Sequence, residues 1–147
     1  MIRYERANKL VDTMNAYRLL EGLDNFYPEF GHWFINKVMP GVMVGSDTLL
    51  LAKHKEQVIG VALGKANGHE TKLRCVRVIP EYQKSPTGIH LIEKMLVALG
   101  SDKPACTVAE EMLHQFSRPF INYFDFNLSK VEKGMYRPGK LEYVFNQ

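Results

Sequence analysis

Apolar and polar positions along the chain alternate in two rhythms, and the switches between them outline a fold. Ile2 and Tyr4 alternate with Arg3 and Glu5, the two-residue period of a strand over residues 2–7. Leu10, Val11, Met14, Tyr17 and Leu20 then recur at helical spacing, with Asn8 placed to cap that helix. Gly22 to Pro28 breaks the pattern. Phe30, Trp33, Phe34 and Val38 define a second helix, Glu29 to Val38, which Pro40-Gly41 is expected to stop. Thr48–His54 and Val58–Lys65 read as a hairpin around Lys55-Glu56-Gln57. Asn67-Gly68-His69-Glu70 turns the chain into a strand, Thr71–Ile79, with Cys75 and Arg77 on one face and Arg74, Val76 and Val78 on the other.

The second half continues in the same way. Leu91, Ile92, Met95, Leu96 and Leu99 mark a helix that ends at Gly100. Pro104–Val108 is a short strand, and Glu110–Tyr123 a helix that Pro119 should kink or split. Leu128–Tyr136 and Leu141–Phe145 form a last hairpin, joined by Arg137-Pro138-Gly139-Lys140. The predicted order is β-α-α-β-β-β-α-β-α-β-β, an α/β chain.

At 147 residues, residues 1–147 are expected to form a single domain with one sizeable core. Hydrophobic content of 46% and charged content of 24% are those of a globular protein, and no apolar run suits a membrane span. The start, MIRYERANK, lacks the apolar centre of a signal peptide, so a cytoplasmic location is expected. Cys75 and Cys106 lack metal-ligand spacing and are expected to be free thiols; no metal site is expected. A net charge of +3 is too small to argue for nucleic acid by itself.

The informative stretch is VRVIPEYQKSPTGIHLIEKMLVAL, from Val76 to Leu99. A β-branched strand feeds a polar turn, Gln83-Lys84-Ser85-Pro86-Thr87-Gly88, that opens directly into a helix. Such a turn leaves N–H groups unpaired at the positive end of the helix dipole, a place for an anion. Ser85 as N-cap and Pro86 at the first helical position suit that helix start.

Val78-x-Pro80-x-Tyr82-Gln83-x-x-Pro86-x-Gly88 resembles the acyl-CoA-binding signature of the GNAT superfamily of N-acetyltransferases, and the element order fits that family along the whole chain. The resemblance implies a mixed, mostly antiparallel sheet flanked by helices. Its two central parallel strands, the one ending at Val78 and Pro104–Val108, would splay apart to admit the pantetheine arm. It implies acetyl-CoA as co-substrate, held by the main chain of Val76 and Val78 and by Gln83, Lys84, Ser85, Thr87, Gly88 and Ile89. Pro86 stands where the family has its first loop Gly, removing one N–H.

The family's Tyr acid is also missing: in Phe120-Ile121-Asn122-Tyr123-Phe124-Asp125-Phe126, Ile121 takes its slot. His114, beside the expected cofactor, and Glu111, on the acceptor side, are then the candidate catalytic residues. The expected function is direct transfer of an acetyl group to an amine, whether small molecule, protein or aminoacyl-tRNA, by a monomer or homodimer. The alternatives are a weak or inactive GNAT-fold module that binds protein or RNA, and a toxin-type aminoacyl-tRNA acetyltransferase. The last would need Arg3, Arg6, Arg74, Arg77, Arg118 and Arg137 on one face.

Overall fold

A computed structural model describes residues 1–147. Its seven strands lie in two sheets. Strands β1 (Arg3–Arg6), β2 (Asp47–His54), β3 (Gln57–Ala66) and β4 (Thr71–Val78) form an antiparallel meander in that order. Strands β5 (Cys106–Ala109), β6 (Leu128–Lys133) and β7 (Leu141–Phe145) form the second sheet, with β7 in the middle. The sheets meet where β4 runs parallel to β5. Leu73 N donates to Ala105 O at 3.0 Å and Ala105 N to Thr71 O at 2.9 Å, around a single Lys72–Ala105 bridge. Beyond that clasp no backbone bond joins the two strands, and they part. This is the mixed, splayed sheet that the family resemblance implies.

Both faces of the first sheet are covered, so its strands are near-continuous apolar runs. Leu49, Leu51, Val61 and Leu63 pack under helices α1 (Leu10–Leu20) and α2 (residues 30–44). Leu50, Ala52, Ile59 and Ala62 pack on Leu91, Ile92, Met95 and Leu99 of helix α3 (Thr87–Leu99). Gly100, in the left-handed region at φ 69, ends α3 as a helix-terminating glycine should. Helix α4 (residues 113–123) follows β5.

Four local expectations are corrected. On α1 the buried face is Thr13, Ala16 and Leu20, whereas Leu10, Val11 and Met14 are 54%, 60% and 41% exposed. Small Ala16 lets the helix axis lie close to the sheet, which rotates the bulkier residues outward. The position before α1 is Lys9, not Asn8, and no side chain caps it. Helix α2 does not stop at Pro40 but runs on to Gly45, at φ 88. A π-helical segment, Phe34–Val38, precedes the proline, and Met39 N reaches back to Phe34 O. The wider turn relieves the clash and the lost hydrogen bond that a proline brings to an α-helix. Finally, Arg74 is an unpaired bulge residue in β4: Leu73 pairs with Gly64 and Cys75 with Leu63. The bulge turns Arg74 to the α2 side, away from Val76 and Val78.

Phe34 locks α2 to α1 and the sheet. It is fully buried and stacks on Tyr17 at 5.2 Å and Phe30 at 6.0 Å. Phe34→Ala is expected to cost about 3–5 kcal/mol, seen as a lower urea midpoint at unchanged slope.

Candidate active site

The predicted anion turn is built as follows. After β4 the chain makes a tight turn at Pro80–Tyr82, then enters α3. Gln83 Nε2 donates to Val78 O at 2.9 Å, bracing the turn on the end of the strand. Ser85 Oγ donates to Tyr82 O at 2.5 Å and accepts from Thr87 N at 3.3 Å. The cap position is Pro86 and the first helical residue Thr87, one residue later than the sequence suggests. His90 N is the first amide of α3 to meet a backbone acceptor, Pro86 O at 2.9 Å, so the N–H groups of Gly88 and Ile89 stay unpaired. Lys84 is exposed beside them and makes no ion pair or hydrogen bond. Ser85, by contrast, is already engaged and is not a spare donor for the one Pro86 lacks.

Along β4 the main chain alternates sides. Ile79 N bonds to Ile59 O of β3, so the backbone groups of Val78 and Val76 point away from β3, toward β5. Val78 O is taken by Gln83; the rest of that edge has no partner strand. Between the parted strands lies a narrow cleft of about 50 Å³, walled by Val76, Val108, Met112, Phe116 and Phe120. It opens on the α2 side into a cavity of about 470 Å³, and Leu73, Arg74, Cys75, Cys106, Thr107 and Tyr27 line both.

At this junction stands Tyr27, and behind it, lining neither the cleft nor the cavity, Glu142, a pair that sequence reasoning missed. Tyr27, from the segment between α1 and α2, donates its hydroxyl to Glu142 Oε2 of β7 at 2.8 Å. Glu142 is only 3% exposed. Burial pushes its carboxyl above the usual range, against the pull of the Thr107 and Tyr27 hydroxyls. Burial, with the Glu142 charge, pushes the Tyr27 phenol far up as well. Tyr136, from the β6–β7 loop, packs edge-on against Tyr27 at 5.2 Å. No local signal marks these residues: Tyr27 lies in a pattern break, and Glu142 alternates like any solvent-facing strand residue. Cys75 and Cys106 are free, and burial pushes both thiols up to about 12, so neither is a thiolate nucleophile near neutrality.

The structure does not bring His114 and Glu111 to this junction. His114 is exposed on α4 and lines neither the cleft nor the cavity. Glu111 meets Arg137 with both oxygens, at 2.6 and 2.8 Å, and those bonds hold its carboxyl down to about 2. It ties the start of the α4 region to the last hairpin. Ile121 is exposed, and Tyr123 points outward toward Glu93, at 3.4 Å. Of the six arginines, Arg3 and Arg6 sit on β1 at one edge of the first sheet, Arg74 and Arg77 on β4 at the other, and Arg137 is paired with Glu111. No group of His, Cys, Asp and Glu has metal-site geometry, and no helix is long and apolar enough to cross a membrane.

No protein-family model and no curated protein matches the sequence. Solved structures do match, along nearly the whole chain. An acetyltransferase assigned to the GNAT family from Desulfovibrio desulfuricans aligns with TM-score 0.77 at 18% identity, covering 99% of this chain and 97% of its own. The aminoglycoside 6'-N-acetyltransferase from Enterococcus faecium aligns with TM-score 0.66 at 14% identity, over 99% and 94% of the two chains. The Bacillus subtilis acetyltransferase in complex with CoA aligns with TM-score 0.65 at 15% identity, over 99% and 97%. The fold is that of the GNAT acetyltransferases. This chain carries it from end to end in a divergent sequence.

Proposed function

We propose that the protein binds acetyl-CoA and transfers its acetyl group to an amine. The observation that carries this reading is the parting of β4 and β5 directly upstream of a turn with unpaired amides. The edge at Val76 and Val78 offers hydrogen bonds to pantetheine amides. The N–H groups of Gly88 and Ile89, with Lys84, suit a pyrophosphate; Gln83, Ser85 and Thr87 hold the turn in shape. Solved structures of the same fold with CoA bound support the choice of ligand. A pantetheine arm needs more room than the cleft's 50 Å³, so Met112 and Phe116 must swing aside as it enters.

In the reaction the neutral amine nitrogen bonds to the acetyl carbon, the C–S bond breaks, and CoA leaves as the thiol, its sulfur taking the proton that the attacking nitrogen loses on becoming the amide. An ammonium must first lose a proton. Tyr27, at the cleft–cavity junction, and Glu142 behind it offer a route: Tyr27 accepts that proton while passing its own to Glu142. Titration of the protein with acetyl-CoA in a calorimeter tests the binding step, and absence of heat at millimolar ligand would sink it. The narrow cleft and Pro86 also favour a second reading, a module that binds CoA without turnover. Release of free CoA thiol with an amine acceptor present separates the two.

A further inference from the structure

The cavity beside the cleft is unevenly charged, and one arginine in it makes no hydrogen bond. Its side chains include Lys37, Lys72 and Arg74 against a single carboxylate, Glu29. Lys72 is 3.4 Å from Glu70; Lys37 has no ion pair. Arg74 stands out further. The bulge in β4 projects it among the cleft, the main cavity and an adjoining one near Asp47. Its guanidinium lies over the Trp33 ring, 5.2 Å from the centroid, which fixes its plane. None of its N–H groups makes a hydrogen bond, and Nε is the one buried side-chain polar atom in the protein without a partner. That Nε lies 3.7 Å from Asp47 Oδ1, near enough to balance charge but too far for a hydrogen bond.

A buried donor left unpaired is costly to the fold and rare. A planar guanidinium held flat in the wall of a cavity of about 470 Å³, its terminal nitrogens making no hydrogen bond within the protein, is matched to a planar two-oxygen anion. The walls around it are aromatic, from Tyr27, Phe30, Trp33 and Tyr136. We propose that the acceptor is a small amine that also carries a carboxylate, of the amino-acid type with an apolar or aromatic body, and that Arg74 recognises the carboxylate. This rests on the acetyl-transfer reading and narrows it. Polycationic amines would meet like charge in the same cavity and are disfavoured.

The test compares phenylalanine, tyrosine and tryptophan with their carboxamides, and with spermidine, as acceptors in a CoA-thiol release assay. The free amino acids are expected to exceed the amides and spermidine by about tenfold or more in kcat/KM, an effect of the size a charged hydrogen bond gives. Arg74→Met should erase that preference while acetyl-CoA affinity stays unchanged, and Arg74→Lys should restore it only in part. Amides or spermidine transferred as well as the amino acids would overturn the proposal. If none is transferred, calorimetry with N-acetylphenylalanine and its amide decides. Carboxylate-dependent binding lost in Arg74→Met supports the site, and equal or absent binding overturns it. Failure to bind acetyl-CoA would instead strike the acetyl-transfer reading itself, a result read in a separate titration.

Discussion

Gly88→Glu is expected to abolish acetyl-CoA binding while leaving the fold intact. A Cβ at this position would meet only Val78 Cγ2, at 3.6 Å, an ordinary contact. An acidic residue in the first turn of a helix is favoured by the dipole, so the unliganded protein should melt no lower than wild type. In the complex the same carboxylate would stand among the Gly88 and Ile89 amides, in the place proposed for the pyrophosphate. Losing two charge-assisted hydrogen bonds, at about 1.5–3 kcal/mol each, predicts at least about a hundredfold weaker binding. Calorimetry on the folded variant checks it, and an unchanged Kd would mean that the phosphates bind elsewhere. Pro86→Gly is the complementary change. It restores an N–H to the turn and should tighten binding by about ten- to a hundredfold, with a small loss of stability from the freer chain.

The fold was legible in the sequence wherever the hydrophobic rhythm was decided by the sheet. The β2–β3–β4 meander, the strand–turn–helix at Val76–Leu99 and the β6–β7 hairpin all follow from periodicity and turn residues. The errors arose where a neighbouring element overrode the local pattern. Leu10, Val11 and Met14 have the spacing of a buried stripe, yet Ala16 decides which face of α1 meets the sheet. Pro40 is a helix breaker by itself, and only the π-helical segment before it removes that effect. The bulge moves Arg74 to the face of Cys75 and Arg77, opposite to that predicted for it, because strand parity assumes an unbroken ladder; Val76 and Val78 keep their predicted face. Around the site, the anion turn was visible because its donors are adjacent in sequence. The Tyr27–Glu142 pair spans 115 positions and the Arg74–Trp33 contact joins β4 to α2, so neither leaves a mark on any local window.

Tyr27→Phe and Glu142→Gln should each lower turnover by about 10²–10⁴ with acetyl-CoA affinity little changed, the range for removing a positioned base. His114→Ala, on an exposed residue outside both cavities, should leave the rate close to wild type. If Glu142 accepts the proton that Tyr27 relays, it must be ionised to act. The wild-type rate should therefore rise with pH through a group titrating above the ordinary carboxylate value of about 4.3, and that limb should vanish in Glu142→Gln. Stability gives a second readout of opposite sense. Because burial raises the folded-state pKa of Glu142, its contribution to stability is full below the unfolded value and is lost as pH rises through the folded one. Gln keeps an acceptor for the Tyr27 hydroxyl and removes the buried charge. Glu142→Gln should thus melt no lower than wild type at neutral pH, with any advantage shrinking as pH falls toward about 4. Tyr27→Phe instead strips a donor from a buried carboxylate and should cost about 1–3 kcal/mol. A rate that survives both substitutions would remove the pair from the chemistry and leave solvent to carry the proton. A slow, stabilised Glu142→Gln beside a slow, destabilised Tyr27→Phe is the combination expected of a buried base and its relay.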